Sequence, residues 1–92
     1  MDNIYVPNVF TPGREFNSLF GPEGTGIIEL EMWVHNREGL LVYHSTSLEE
    51  KWDGTHNGTD CPMSSYVYRI NYKMRSMPKG WQTIVGTVML IR

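Results

Sequence analysis

Residue types that do chemistry crowd into one stretch of this 92-residue chain, KWDGTHNGTDCP, Lys51 to Pro62. Asp53, Thr55, Asn57 and Gly58 fall at the first, third, fifth and sixth places of an EF-hand-type calcium loop. Calcium takes about six to eight oxygens, and such a loop closes with a bidentate glutamate at its twelfth place. Here the twelfth place is Ser64, the third is a neutral threonine, and no helix is expected on either side. Zinc wants about three or four convergent side chains. The strand parity below puts His35 and His44 on opposite faces, with His56 in a separate loop. A cysteine nucleophile needs a base within reach and a group to orient that base. Turn residues separate Cys61 from His56, so Cys61 reads as a small buried residue opening a strand. Asn57-Gly58-Thr59 is a glycosylation sequon only in a secreted protein of a glycosylating cell, and an Asn-Gly turn explains the same letters. No metal ligand, cofactor or catalytic residue is expected, and the chain does not read as an enzyme.

The same letters make sense as backbone chemistry. Asp53-Gly54 and Asn57-Gly58 supply left-handed positions that few other residues tolerate. Trp52 is expected to bury a large ring and hold the loop in place. Trp52, Asp53, Gly54, Asn57 and Gly58 are thus a structural motif, after which Cys61-Pro62 leads into the next strand.

Net charge is −2, unevenly spread. All ten acids lie in residues 1–60 with Arg14, Arg37 and Lys51, giving −7. Residues 61–92 carry Arg69, Lys73, Arg75, Lys79 and Arg92 and no acid, giving +5. Such asymmetry either steers a partner or is neutralised across a sheet. Arg69, Lys73 and Arg75 form a basic stripe on one strand face beside which Trp33 and Tyr43 could stack bases, but the acidic total and the lack of an RNP-like motif argue against nucleic acid. No apolar run of about 18 residues exists, so no membrane insertion is expected. The single cysteine excludes an internal disulfide. Residues 1–92 suffice for one small domain, expected to be monomeric, that buries roughly 60–65% of its unfolded surface. Met1-Asp2 runs into a strand-like segment without the features of a signal peptide. The chain either starts there or is the C-terminal piece of a longer protein.

The elements that must position these residues are strands. Period-2 alternation recurs between Gly, Pro and Asn punctuation, and no segment has helical periodicity. Ile4–Phe10 is β-rich but holds Pro7, so it is expected at an edge. Thr11–Gly26 reads as a loop whose Phe16, Leu19 and Phe20 cover the core. In Ile27–His35, Ile28, Leu30, Met32 and Val34 share one face. Asn36–Gly39 reads as a type I turn with Gly39 left-handed. It would pair Val34 with Val42 and Trp33 with Tyr43, leaving Trp33, His35, Leu41 and Tyr43 outward. In Tyr66–Met74, Tyr66, Tyr68, Ile70, Tyr72 and Met74 face the core. Ser76–Gly80 reads as a turn. Trp81–Arg92 is a long last strand, apolar on both faces beyond Ile84, and so expected to be central and partly covered on both sides. Gly86 within it predicts a bulge or a close contact. Together these predict an all-β, antiparallel immunoglobulin-like β-sandwich of about six or seven strands.

Five pieces then stand in order: IYVPNVFTP, NREG, WDGTHNG, CP before YVYRINY, and GTVMLIR. That order resembles the gliding-motility-associated C-terminal domain, the type B sorting domain of the type IX secretion system, from Ile4 to Arg92. The chain departs from that pattern in three places. Gly13, Arg14, Glu15 and Phe16 stand where the family has an Asn, Gly and Asp-rich loop. Ser64-Ser65 replace a glycine before the Tyr66 strand, and Glu38 replaces an aromatic in the hairpin turn. The resemblance implies a sorting signal that takes a passenger through the periplasm and across the outer membrane, to the cell surface or the medium. Its implied partners are the translocon and a cognate outer-membrane protein of the kind linked to gliding adhesins. Because the last strand runs to Arg92, recognition is expected on the folded surface, with Arg69, Lys73, Arg75 and Arg92 as candidate docking residues. The alternative is a cell-surface adhesion or carbohydrate-binding immunoglobulin-like module with Trp33, Leu41 and Tyr43 as its contact patch.

Overall fold

Pro7 divides the first β-rich segment in two. Proline cannot donate to a sheet ladder, and the chain changes sheets there. The computed structural model describes residues 2–92. Before Pro7 lies β1 (Asn3–Tyr5) and after it β2 (Val9–Phe10). β1 pairs antiparallel with β3 (Glu23–Thr25) in a small sheet. β2 joins the main sheet, where β4 (Ile27–His35), β5 (Leu41–Ser45), β8 (Ser64–Met74) and β9 (Met77–Leu90) also lie. The main-sheet order is β2-β9-β8-β4-β5, antiparallel except for the β2–β9 pair. A third sheet is the hairpin of β6 (Thr55–His56) and β7 (Thr59–Asp60). No helix is present among the described residues, and the fold is an all-β sandwich. Its second layer is built from short pieces, which is why there are nine strands rather than six or seven.

The alternation of β8 is obeyed in full: Tyr66, Tyr68, Ile70, Tyr72 and Met74 are all buried. Leu30, Met32 and Val34 of β4, Val42 of β5, and Val88 and Leu90 of β9 share that face. The covering layer lays Phe20, Trp52 and Cys61 on it, against Phe10, which β2 places on the same face. Trp52 is fully buried, with ring centroids 5.2 Å from Phe10 and 5.1 Å from Tyr66. Phe20 lies 5.8 Å from Phe10 and 5.3 Å from Tyr68. The N–H of each of Phe20 and Trp52 also donates to the other's carbonyl at 2.8 Å. Two loops far apart in sequence are thus tied by both backbone and rings. Gly86 sits opposite Tyr68 in the ladder, and a Cβ there would come within 2.6 Å of the phenol oxygen. Its smallness makes room for a ring, the close contact that its position predicted.

Five expectations are corrected. Phe16 and Leu19 are exposed and only Phe20 covers the core. The Thr11 N–H closes a tight loop onto the Asn17 carbonyl at 2.6 Å, and Asn17 is left-handed at φ 54°, which accompanies the outward placing of Phe16 and Leu19. Ile28 is exposed because the β4–β8 register shifts between Ile27 and Glu29, leaving Ile27 to pack against the core. Another shift, at Val42, pairs Val34 with Tyr43 and Trp33 with His44. Opposed residues share a face, so Tyr43 packs partly against the core, and His44 joins Trp33 and His35 outside. The last hairpin turns at Arg75-Ser76, with Met74 opposite Met77, and Pro78–Trp81 are accommodated as an irregularity. Finally, the outer face of β9 is uncovered: Val85 is 64% exposed and Met89 42%.

Trp52→Ala is expected to lower stability by roughly 3–5 kcal/mol, the range for a large aromatic lost from a core. Urea unfolding followed by tyrosine fluorescence checks this; an unchanged midpoint would mean that the ring is not an anchor.

Candidate docking face

The outer face of the main sheet is where the register gathers the exposed chemistry. One row across it runs His44, Trp33, Arg69, Val85 from β5 through β4 and β8 to β9. The next rows are Leu41, His35, Val67, Thr87 on one side and Glu31, Asn71, Thr83 on the other. Beyond these, Glu29 faces Lys73. Trp33, His35, Arg69 and Asn71 border a shallow hollow.

Acids on β4 and bases on β8 stand in adjacent columns. Lys73 Nζ lies 3.0 Å from Glu29 Oε2 and 4.6 Å from the centre of the Trp81 ring. His44 Nε2 and Glu31 Oε2 are 2.7 Å apart, and the His44 ring lies 5.7 Å from Trp33. Arg69 and Arg75 make no ion pair among the described residues. Part of the charge asymmetry is therefore neutralised across the sheet, and Arg69 is left available.

The four candidate docking residues do not form one patch. Arg69 and Lys73 share the outer face. Arg75 occupies the β8–β9 turn, its N–H donating to the Gly26 carbonyl at 2.6 Å. Arg92 belongs to the far end of the sheet and is engaged. Its Nη2 donates to the carbonyls of Cys61 at 2.8 Å and Gly54 at 3.0 Å, and Nε donates to Cys61 at 3.2 Å. Its role here is to hold the Trp52 loop, a contact across 31 and 38 residues that no local pattern reveals. In the alternative patch, Trp33 and Leu41 remain outward, while Tyr43 leaves it. The outward His44 was missed because a one-residue register shift is invisible in the alternation.

The Lys51–Pro62 stretch is built as the turn chemistry demands. Trp52 Nε1 donates to the Thr55 carbonyl at 2.9 Å. Asp53 Oδ1 accepts from the Thr55 N–H at 3.1 Å and from its hydroxyl at 2.7 Å. Gly54 has φ 84°, and a Cβ there would come within 2.7 Å of Pro12. Asn57 and Gly58 have φ 52° and 79°, the pair of left-handed residues that a two-residue β6–β7 hairpin requires. No group of three or more His, Cys, Asp or Glu among the described residues is placed to hold a metal. Burial pushes the Cys61 thiol pKa up, which opposes thiolate formation. Between this stretch and the Asn36–Leu40 turn lies a cleft of about 260 Å³ floored by Val42, Cys61 and Tyr66. Sequence reading did not find it, since two stretches of the chain, residues 36–42 and 56–66, form it together.

These features define the class: an all-β module whose best-defined polar arrangements serve its own turns and whose available chemistry is spread over a sheet face. The chain belongs to the CHU_C type IX secretion signal domain family, whose model matches residues 4–84. It is thus a sorting domain for type IX secretion, acting with that machinery and directed toward the cell surface or beyond. This role points away from catalysis. No curated protein and no solved structure matches it.

Arg92→Ala is expected to cost about 1.5–3 kcal/mol, since charge-assisted hydrogen bonds to two loop carbonyls are lost. Arg69→Ala should stay within about 0.5 kcal/mol. Chemical denaturation of both variants measures the difference, and equal effects would mean that Arg92 holds nothing. Asp53 gives a pH test. The Thr55 hydroxyl, helped by its N–H, lowers the Asp53 pKa below the ordinary 3.8. A carboxylate depressed in the folded state contributes stability above its unfolded pKa and loses it as pH falls through the folded one. The stability gap between wild type and Asp53→Asn should therefore be widest near neutral pH and narrow below about pH 4. Urea midpoints measured across that range check it.

Proposed function

We propose that the domain is recognised as a folded surface. Its outer sheet face docks on the translocon or on a cognate outer-membrane protein, and the passenger then passes from the periplasm to the cell surface or the medium. Residues 1–92 act as a single, monomeric C-terminal signal, with a passenger upstream. The observation that carries this reading is the row Trp33, Arg69, Val85, in a chain that belongs to a secretion signal family. That row joins an aromatic, an unpaired cation and an exposed aliphatic on three adjacent strands. Such a mixture suits a protein partner, in which aromatic and arginine side chains contribute most of the affinity. Arg69 and Arg75 are the residues proposed to steer docking, with Lys73 beside them. Arg92 is assigned to stability instead.

A reporter exported to the periplasm and fused to this domain should reach the surface in a host with the cognate machinery. The double variant Arg69→Glu/Arg75→Glu should leave the reporter in the periplasm. Each exposed substitution should change stability by less than about 0.5 kcal/mol. Surface proteolysis of the reporter, read beside thermal unfolding of the isolated domain, separates the possibilities. Export undiminished by charge reversal would remove these arginines from docking. Loss of folding in step with loss of export would make them structural.

A further inference from the structure

β9 is the longest strand, yet one of its edges is almost bare. β8 pairs along nearly its whole length, from Met77 to Leu90. On the other side β2 covers only Met89 and Leu90. No other strand among the described residues pairs with that edge. The direction of its free groups follows from the β2 contact. The Met89 N–H donates outward to the Asn8 carbonyl at 2.9 Å, and the Ile91 N–H to Phe10 at 3.0 Å. Backbone direction alternates along a strand paired antiparallel on its other side. Stepping back by two residues, Thr87, Val85 and Thr83 therefore point their N–H and C=O groups at the open edge.

Monomeric proteins blunt such edges with lysine, proline, short strands or bulges. Here Pro78, Lys79 and the irregularity next to Lys73 disrupt only the start of β9. From Gly80 to Ile91 the sequence has neither charge nor proline. The side chains beside the bare stretch are exposed, with Val85 64% and Trp81 54% accessible. The same edge already accepts a strand from this chain at Met89–Leu90, in parallel.

We propose that Thr83–Thr87 of β9 receive an extended strand from a protein of the export machinery, by main-chain pairing at the sheet edge. This rests on the docking reading above and names its mode. Main-chain pairing supplies affinity, and alternate side chains supply selectivity. Charge indicates the partner's chemistry. β8 and β9 carry no acid. Arg69 stands beside Val85, while Lys79 and the Trp81-capped Lys73 flank the start of the strand. The incoming segment therefore alternates apolar side chains with carboxylates. A second copy of this chain would instead bring an equally basic β8–β9 edge to meet this one.

The test uses a synthetic peptide of about eight residues alternating valine and glutamate, the length of an ordinary strand. Backbone amide exchange is followed by NMR. The peptide should slow exchange at Thr83, Val85 and Thr87, and a valine–lysine analogue should bind less well. Val85→Pro removes one outward N–H without breaking a bond to β8. It should weaken the valine–glutamate peptide about tenfold or more, well beyond the effect of Val85→Thr, which keeps the outward N–H. Thr83→Pro serves the same purpose if Val85→Pro fails to fold. In the export assay the folded proline variant should hold the reporter in the periplasm. No protection at the three amides, or a proline variant that binds or exports as wild type does, overturns strand addition and leaves the sorting role standing. Protection that grows with protein concentration and needs no peptide makes a second copy the occupant and overturns the proposal. A wild-type reporter that never leaves the periplasm, with its machinery present, overturns the docking reading itself.

Discussion

The paired backbone bonds between Phe20 and Trp52 are the constraint on which the rest of this domain depends. They join two loops to each other just where both rings enter the core. The main sheet has one apolar face, rich in tyrosine from β8, and no long strand opposes it. A chain of this size has little apolar surface to spare. The face is kept dry by a few large rings instead: Phe20 and Trp52 lie over Phe10, Tyr66 and Tyr68 of the sheet itself. Because the cover is made of loops, it needs ties that do not come from a strand ladder. The Phe20–Trp52 bridge is one, the Arg92 contacts to Gly54 and Cys61 are a second, and the Tyr66 hydroxyl donating to the Pro62 carbonyl at 2.7 Å is a third. The dense Lys51–Pro62 stretch is thus the clasp of the covering layer.

With one face closed in this way, the other presents the charged and polar side chains of the sheet. The outer face sets an acidic column on β4 beside a basic one on β8; among the described residues Lys73–Glu29 brings them into contact, while Glu31 meets His44 of β5. Among the described residues Arg69 makes no ion pair, beside Trp33 and Val85. The side chains of this face stand on strands held by a ladder, so a partner meeting them would not require a loop to order first. The bare edge of β9 borders the same row. A partner strand on that edge would extend the face instead of competing with it.

Much of this was legible because alternation and turn chemistry are local. Tyr66–Met74 alternates without exception, and all five core-facing residues are buried. Asp-Gly, Asn-Gly and Asn36–Gly39 marked left-handed positions, and Gly54, Asn57, Gly58 and Gly39 all adopt them. Trp52 was readable as an anchor because a large ring between tight turns has few other places to go. Errors arose where one residue shifts the register. At Ile28 and at Val42 the face changes by one place, so Tyr43 turns inward and His44 outward. Arg69 and Lys73 were legible as neighbours on one face of a strand, whereas the contacts of Arg92 to Gly54 and Cys61 cross tens of residues and leave no local mark.

By itself the sequence determined the strand class, the core-facing residues of β8, the turns and, through its ordered motifs, the family. These are properties of short windows, set by side-chain periodicity and by which residues tolerate a positive φ. Only the tertiary structure decided which strands lie side by side, which edge stays open, and which charges are already engaged. Those outcomes depend on contacts across tens of residues. The β2–β9 pair, the Phe20–Trp52 bridge and the Arg92 tie join segments whose local sequences hold no record of one another. Their formation is settled by the packing of one small core.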